Sequence, residues 1–251
     1  ATSRVGLHRY TFPASDSSAI VFDLENGGCW DKATQTLTEV VDSVTIRGYR
    51  YSTGWAKNQK AFFYAQFSKP FDKLENMGAY SRIDFHTTEG EQIMVKVALS
   101  PVSMDGAEAN MKAEMPEWDF EGTVKAAEKA WNEELSKIKI DTDDAEARTV
   151  YYTAMYHSMI QPSVFNDVNR DYRGANDQIY RNGNFVNYTT FSLWDTYRAA
   201  MPLMTIIHPE KVNDIANTMI NIYEQQGKLP VWHLWGNETD CMVGNPGVIA
   251  L

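Results

Sequence analysis

The pattern of the sequence changes once along the chain, near Met104, from strand-like to helical. Residues 1–103 contain short runs rich in Val, Ile, Thr, Phe and Tyr, and Gly, Pro, Asn and Asp separate these runs. Several short strands between such turn residues are typical of an all-β sandwich. The predicted strands are residues 5–12, 19–24, 37–51, 61–67, 82–86 and 92–99.

Two helical segments, 105–115 and 121–138, follow the strand-like part. Apolar residues share one face of the second segment and charged residues fill the other side, which predicts a helical linker packed against the sandwich. The residues of that apolar face are Val124, Ala127, Trp131 and Leu135.

The remainder of the chain is predicted to be mostly helical. Asp143, with Glu146 three residues later, resembles the capping box that begins a helix. Pro209 suits the first position of another helix, and Gly227 suits the residue that ends it. The first of these helices is predicted to bury a stripe formed by Tyr151, Ala154, Met155, Ser158 and Met159.

Two further segments lie between these helices. Residues 161–188 are polar and rich in Gly, Asn and Asp, and loops of that length are often functional. Residues 189–207 are predicted to form one helix, which Pro202 kinks.

The predicted fold is therefore an incomplete β-sandwich (1–103), a helical linker (104–142) and the start of an α/α toroid (143–251). Six strands are too few for a complete large sandwich. Residues 247–251 resemble the opening of a helix. We therefore expect the chain to be part of a longer protein.

Composition excludes several classes of protein. The formal net charge of −10 over 251 residues argues against nucleic acid or an anionic membrane as the main partner. No apolar run approaches the roughly 18 residues of a membrane span, and this segment contains no signal peptide. Cys29 and Cys241 form neither a disulfide framework nor a zinc motif, so cysteine usage leaves the compartment undecided.

The first cluster with chemical potential is FSLWDTYR at 191–198. A sugar ring is apolar on its C–H faces and hydroxylated at its rim, so an aromatic face beside a carboxylate suits it. Asp195 would accept hydrogen bonds from two sugar hydroxyls, and Trp194 would form a wall of the subsite, with Arg198 nearby. The alternative is an amphipathic helix with Trp194 in the core and Asp195 paired to a neighbouring arginine.

The second cluster is WHLWGNETD at 232–240. An acid, an amide and a hydroxyl framed by two tryptophans are costly to bury without a ligand. The alternative is a helix N-cap formed by Asn237, Thr239 or Asp240, with acids that favour the helix dipole, but it explains one residue and not the set. The candidate residues for carbohydrate binding here are Trp232, His233, Trp235, Asn237, Glu238 and Asp240.

A third stretch, DVNRD at 167–171, has oxygen ligands at alternate positions, as calcium loops do. Tyr172 replaces the glycine that an EF-hand requires, so an Asx-rich turn is the favoured interpretation. The isolated histidines are interpreted as structural, and no catalytic triad, phosphate loop or zinc-protease motif is present. The histidines in question are His8, His86, His157 and His208.

Five segments together resemble glycoside hydrolase family 92, the calcium-dependent exo-acting α-mannosidases common in glycan-degrading bacteria. They are GLHRYTFP at 6–13, GYRYSTGW at 48–55, FSKPF at 67–71, FSLWDTYR at 191–198 and GNETDCM at 236–242. The resemblance implies a supersandwich-like β-sandwich, a helical linker and the first helices of an (α/α)6 barrel. It also implies calcium as cofactor, mannose-containing glycans such as N-glycans as substrate, and a secreted, periplasmic or cell-surface location.

The resemblance further implies an inverting mechanism, in which one carboxylic acid protonates the leaving oxygen and a second carboxylate activates water. The family motifs EGNAWQY and GNDDCG, associated with the acid, the base and the calcium, do not occur here. Asp195 matches a mannose-binding residue of the first subsite. Glu238 is the best candidate in this chain for a chemical acid, although a binding role is favoured.

Two other functions remain open from the sequence. Another (α/α)6 glycosidase or a phosphorylase would share the same architecture, because a fold does not fix chemistry. A non-catalytic glycan-binding module would bind sugar without turnover and without calcium.

Overall fold

The computed structural model describes residues 1–28 and 30–251 as two compact units. One unit contains residues 1–124 together with 167–169, and the other contains residues 125–166 and 170–251. Cys29 lies outside the described residues, whereas Cys241 is a half-buried free thiol. No helix in the described part of the chain is long and apolar enough to cross a membrane.

The first unit contains two antiparallel sheets. One has the strand order β1-β8-β5-β4-β3 and the other has the order β2-β7-β6. The strands are β1 (Val5–Phe12), β2 (Ser15–Asp23), β3 (Asp31–Asp42), β4 (Thr45–Gly54), β5 (Gln59–Phe67), β6 (Lys73–Met77), β7 (Tyr80–Thr87) and β8 (Glu91–Ser100).

A hydrophobic core joins the two sheets face to face. Phe63, Phe67 and Ile93 come from the larger sheet, and Ile83 and Phe85 come from the smaller one. Each of these side chains is no more than 4% exposed. The predicted β-sandwich is therefore confirmed.

The prediction of one strand over residues 37–51 is wrong. The chain reverses after Asp42, whose carboxylate accepts a 2.8 Å hydrogen bond from the Val44 amide, and Thr45 begins β4 opposite β3. Alternating apolar residues continue through the turn, so periodicity alone did not reveal it. Strand β6 was missed because it is mostly exposed and polar.

Helix α1 (Met104–Glu114) packs on the larger sheet. Its residues Ala107 and Met111, with Met115 beyond the end of the helix, form a second cluster with Tyr64 and Ala98 of the strands. The Ser103 hydroxyl accepts from the Gly106 amide at 3.0 Å and caps the helix.

The apolar face predicted for the second linker helix is not buried. Helix α2 (Phe120–Leu135) contains no buried residue, and Val124 and Trp131 are 37% and 39% exposed. The spacing correctly indicated a helix, but spacing does not show that a partner surface covers it.

The second unit contains helices and short strands. The helices are α3 (Ala145–Ser158), α4 (Leu193–Thr196), α5 (Ala200–Ile207), α6 (Pro209–Gln226) and α7 (Pro246–Ala250). The strands are β9 (Ser163–Val164), β10 (Tyr172–Arg173), β11 (Ile179–Tyr180), β12 (Tyr188–Thr189), β13 (Phe191–Ser192), β14 (Trp232–Leu234) and β15 (Asn237–Glu238).

Two details of α3 differ from the prediction. The capping residue is Asp144 and not Asp143, since the Asp144 carboxylate accepts from the amides of Glu146 and Ala147. Met155 is the one buried residue of the predicted stripe, and Ala154 is exposed.

Residues 189–207 do not form one helix. Thr190, at φ 66°, takes the chain out of β12 and into β13, and α4 and α5 follow as separate helices. Pro202 is the third residue of α5, where its missing N–H has no intrahelical partner to lose, so it does not kink the helix.

Helix α6 has the predicted ends. Pro209 is its first residue, and Gly227 follows its last residue in the left-handed conformation, at φ 79°. Its residues Ile215, Met219 and Ile222 are buried against Phe191 and Leu193. This core fixes the position of the segment that carries Asp195.

Candidate functional site

The two sequence clusters meet in one three-stranded antiparallel sheet. Strand β14 lies between β13 and β15. Phe191 pairs with His233 and Ser192 pairs with Trp232, while His233 pairs on its other side with Glu238. Residues about forty positions apart in the sequence are therefore neighbours.

A tight hairpin forms the second cluster. Leu234 pairs with Asn237, and the two residues between them, Trp235 and Gly236, have φ values of 48° and 75°. Two positive φ values define the type I′ turn, whose twist matches that of the flanking strands. The Trp235 ring lies edge-on to Phe165, at 5.2 Å between centroids.

Asp195 presents a carboxylate to solvent. The Ser192 hydroxyl donates a 2.5 Å hydrogen bond to Asp195 Oδ2, which orients the group. The residue is exposed, and Oδ1 has no hydrogen-bond partner among the described residues. This oxygen is therefore available to accept from a ligand.

Arg198 lies beside two aromatic rings of the same segment. Its guanidinium carbon is 5.1 Å from the centroid of the Trp194 ring and 4.9 Å from that of the Tyr197 ring. Trp194 is half-buried and Arg198 is exposed. The predicted proximity of Trp194 and Arg198 is present, but Arg198 lies in the turn after α4 and not on a continuous helix.

The Glu238 carboxylate faces three backbone amides. Oε2 accepts from the Val231 amide at 2.8 Å, and Oε1 accepts from the amides of Trp232 and Asp240, both at 3.0 Å. The carboxylate thus ties together the two ends of the hairpin.

The other polar residues of the hairpin also make local contacts. The Asn237 side-chain amide donates to the Trp235 carbonyl at 2.8 Å, and the Asp240 carboxylate pairs with the Lys228 ammonium. The Thr239 hydroxyl donates to the Trp232 carbonyl at 2.8 Å. These bonds fix the hairpin from within.

His233 and Trp232 are buried in the sheet. They are 2% and 9% exposed, respectively. Burial lowers the pKa of His233 to about 4, and its Nδ1 atom has no hydrogen-bond partner in the described structure. His233 is therefore neutral at physiological pH and cannot serve there as a cationic proton donor. Direct contact of either residue with a substrate stays a prediction.

The calcium-like stretch makes protein contacts instead. Asp167 accepts from the Ser100 hydroxyl and from the Asn110 side-chain amide, both at 2.8 Å. Asp171 pairs with Arg181 and accepts from the Asn182 amide at 2.9 Å. The two aspartates thus bind separate protein groups, and the Asx-rich turn stays a prediction.

The described residues contain no cluster of three or more His, Cys, Asp or Glu side chains able to hold a metal ion. The exposed oxygen of Asp195 is a single donor. Ca²⁺ takes six to eight oxygen ligands, so this donor set alone does not fit a calcium site.

Sequence reasoning did not single out two residues that matter to the site. Ser192 stands three positions before Asp195. Serine hydroxyls commonly form hydrogen bonds with groups a few residues away, so this spacing could have identified Ser192 as a partner of Asp195. Lys228 lies twelve positions before its partner Asp240 and carries no local signal.

The chain combines a β-sandwich with a helical unit, and the candidate site in the helical unit contains aromatic residues and two carboxylates. The glycosyl hydrolase family 92 N-terminal domain model matches residues 1–100, and the catalytic domain model of the same family matches residues 106–251. The chain belongs to glycosyl hydrolase family 92.

Solved structures and a curated protein show similarity to this chain. A family 92 α-mannosidase from Bacteroides thetaiotaomicron, also solved with mannoimidazole, is 33% identical with a TM-score of 0.93, over 99% of this chain and 36% of that chain. A family 92 inverting mannosidase from the same organism is 25% identical with a TM-score of 0.86, over 99% of this chain and 35% of that one. A protein of Arthroderma benhamiae, described as an uncharacterized secreted glycosidase, is 30% identical over 126 residues, which is 48% of this chain and 15% of that protein.

This chain thus spans about a third of the length of the solved relatives. The family models match on either side of residues 101–105, while the structural units divide after residue 124. The predicted three-part division at residues 103 and 142 stays a prediction.

Proposed function

We propose that the protein carrying this chain is an inverting exo-α-mannosidase that removes terminal α-linked mannose from glycans. Membership of family 92 and similarity to two mannosidases, one of them inverting, support this proposal. The observation that carries it within this chain is Asp195, whose carboxylate is oriented by Ser192 and leaves one oxygen open, next in sequence to Trp194.

In this proposal Asp195 accepts hydrogen bonds from hydroxyls of the terminal mannose. A hydrogen bond to a charged acceptor is stronger than one to a neutral acceptor. A sugar that lacks the hydroxyl would leave the bound carboxylate without a partner, which costs binding free energy. The ring of Trp194 supplies an apolar surface for a C–H face of the sugar. The proposed substrate-binding set is Trp194, Asp195, Arg198, Trp232, His233, Trp235, Asn237 and Asp240.

The inverting reaction needs an acid on the leaving oxygen and a base on the attacking water, roughly 6.5–9.5 Å apart. Asp195 is exposed and oriented by Ser192, and Glu238 is held by three amides. We therefore assign neither of them to the acid or the base, and we propose that both of these groups lie in parts of the protein other than these 251 residues. The helical unit would form the first helices of an (α/α)6 barrel that brings those parts together.

Calcium assistance is part of the proposal, although the described residues do not make a calcium site by themselves. Bound calcium would neutralise charge and organise sugar hydroxyls through oxygen ligands. Sensitivity of mannose release to a chelator, with recovery on adding Ca²⁺, would support the requirement.

We propose a secreted, periplasmic or cell-surface location. Its support is the secreted glycosidase of Arthroderma benhamiae, which matches part of this chain. Fractionation of the producing cells, with detection of the protein outside the cytoplasm, tests it.

The experiment that tests the proposed function is the release of free mannose from a terminal α-mannoside, followed by chromatography. Hydrolysis without added phosphate is expected. Turnover that requires inorganic phosphate and yields mannose 1-phosphate would identify a phosphorylase. Sugar binding without turnover would identify a glycan-binding module.

A further inference from the structure

We infer that Glu238 is a positioning residue, which holds the hairpin of residues 231–240 in its sugar-binding shape and does not protonate the leaving oxygen. The inference rests on the proposed function, because it concerns the same site. It assigns to Glu238 a role different from the chemical acid suggested by its residue type.

The contacts of both carboxylate oxygens support this role. Backbone amides can only donate, so each oxygen of Glu238 must act as an acceptor toward Val231, Trp232 and Asp240. The geometry therefore engages both oxygens of Glu238 with the protein backbone.

The positions of the three amides explain what the carboxylate does. Val231 and Trp232 lie at the start of β14, and Asp240 lies just after β15. One side chain thereby closes the open end of the hairpin, opposite the Trp235–Gly236 turn. Hydrogen bonds to a charged acceptor are about twice as strong as neutral ones, so three of them define the strand ends firmly.

A general acid needs the opposite arrangement. It must carry a proton and bring that oxygen within hydrogen-bond reach of the leaving oxygen. In helix α4, which follows β13 directly, Asp195 has an oxygen without a partner among the described residues, whereas both Glu238 oxygens are engaged. Asp195 is therefore suited to contact the sugar, and Glu238 is suited to hold the surface that the sugar meets.

The test compares Glu238→Gln and Glu238→Ala in the full enzyme that carries this chain. A glutamine carbonyl in place of Oε1 keeps the bonds from Trp232 and Asp240 and loses the bond from Val231, while alanine loses all three. We expect kcat/KM to fall roughly ten-fold in the glutamine variant and roughly a hundred-fold in the alanine variant, as for a slightly misplaced substrate. If Glu238 were the proton donor, both variants would lack it, and kcat/KM would fall by the same factor in both.

Two substrates separate positioning from acid catalysis. A 2,4-dinitrophenyl α-mannoside has a leaving group that needs no protonation, and a methyl α-mannoside needs it fully. A positioning role predicts that each variant loses the same factor on both substrates and keeps the wild-type pH profile. A loss confined to the methyl mannoside, with a changed pH profile, would overturn the inference.

Hydrogen exchange of the Val231, Trp232 and Asp240 amides gives a readout that does not depend on turnover. These amides are expected to exchange faster in Glu238→Ala and to keep the wild-type rate in Glu224→Gln, a matched change of an exposed glutamate on α6. Unchanged exchange in Glu238→Ala would overturn the inference. A wild-type enzyme that releases no mannose would count against the proposed function, and the exchange result would still decide the role of Glu238.

Discussion

At the scale of single residues, the two carboxylates of the site have opposite surroundings. Asp195 is exposed and receives one hydrogen bond, from Ser192 at 2.5 Å. Glu238 receives three, all from backbone amides. Residue type alone could not distinguish them, because the difference lies in the local backbone conformation. The hairpin turns three amides toward Glu238, whereas the start of α4 brings one hydroxyl to Asp195.

Replacing Asp195 with Asn should cut mannosidase activity without unfolding the protein. The change keeps the shape of the side chain but removes the charge that accepts the sugar hydroxyls. Hydrogen bonds to charged groups are worth about 1.5–3 kcal/mol each, so two such bonds predict a loss in kcat/KM of at least about a hundred-fold. The melting temperature should change little, because the residue is exposed.

Steady-state kinetics on a terminal α-mannoside measures this loss. Glu224→Gln, a neutralised acid on the exposed face of α6, is the matched control and should retain wild-type activity. Near-normal activity in Asp195→Asn would refute the proposed role of Asp195.

The burial of His233 should make folding stability depend on pH. Burial lowers its pKa from 6.5 to about 4. Between pH 6.5 and pH 4, His233 is therefore protonated in the unfolded chain and neutral in the folded chain. The stabilisation is therefore complete above about pH 6.5 and is lost as the pH falls toward 4. At 1.36 kcal/mol per pH unit, the contribution amounts to about 3 kcal/mol.

Denaturant unfolding at a series of pH values checks this contribution. His233→Gln should flatten the decline in stability between pH 7 and pH 4.5 relative to wild type. His157→Gln, which removes an exposed histidine from α3, should leave the decline unchanged. An equal decline in wild type and His233→Gln would contradict the assignment.

At the scale of elements, the sequence was sufficient where the signals are local. The ends of α6 follow from Pro209 and Gly227, whose conformational preferences act without tertiary contacts. Most strands of the sandwich were likewise located by alternation and turn residues. The hairpin at Asp42–Thr45 was missed, because a side-chain bond to Val44 sets the turn within a continuous apolar pattern.

The site itself could be predicted only as two separate clusters. The aromatic and acidic residues of 191–198 and 232–240 were recognised, but their adjacency arises from the pairing of β13 with β14. The same pairing stops a helix from beginning at residue 189, since Phe191 and Ser192 are held as a strand. Helical spacing could not reveal this tertiary effect.

A side chain at position 236 should destabilise the turn at Trp235–Gly236. Gly236 has φ 75°, and an added Cβ would lie 3.1 Å from a Phe165 ring atom. The left-handed conformation costs an L-residue about 1–2 kcal/mol, and the crowding adds to that cost. Gly236→Ala should therefore destabilise more than Gly227→Ala, which has φ 79° and no atom within 4 Å of its added Cβ.

Thermal unfolding of the two alanine variants measures the difference. Because both glycines lie in the same unit and share a positive φ, the comparison isolates the contact with Phe165. Equal destabilisation would show that the hairpin does not pack on Phe165 as described.

At the scale of the whole molecule, the sequence identified the family although it spans about a third of the solved relatives. Motifs from both parts of the chain carried that resemblance, and both family models match. Catalytic chemistry was harder to predict, because the described residues contain no cluster of three or more His, Cys, Asp or Glu that could hold a metal. The location of the acid and the base stays a proposal. The requirement for calcium is accordingly a proposal about the protein as a whole.

The central claim is that Asp195 and its neighbours bind the terminal mannose of an α-mannoside that the protein hydrolyses. The most direct measurement is proton NMR of a methyl α-mannoside during treatment with the full protein, in wild type and in Asp195→Asn. The wild-type protein should release β-mannose first, as inversion requires, and the Asp195→Asn protein should release it at least about a hundred-fold more slowly. Release of α-mannose first, or equal rates in the two proteins, would contradict the account.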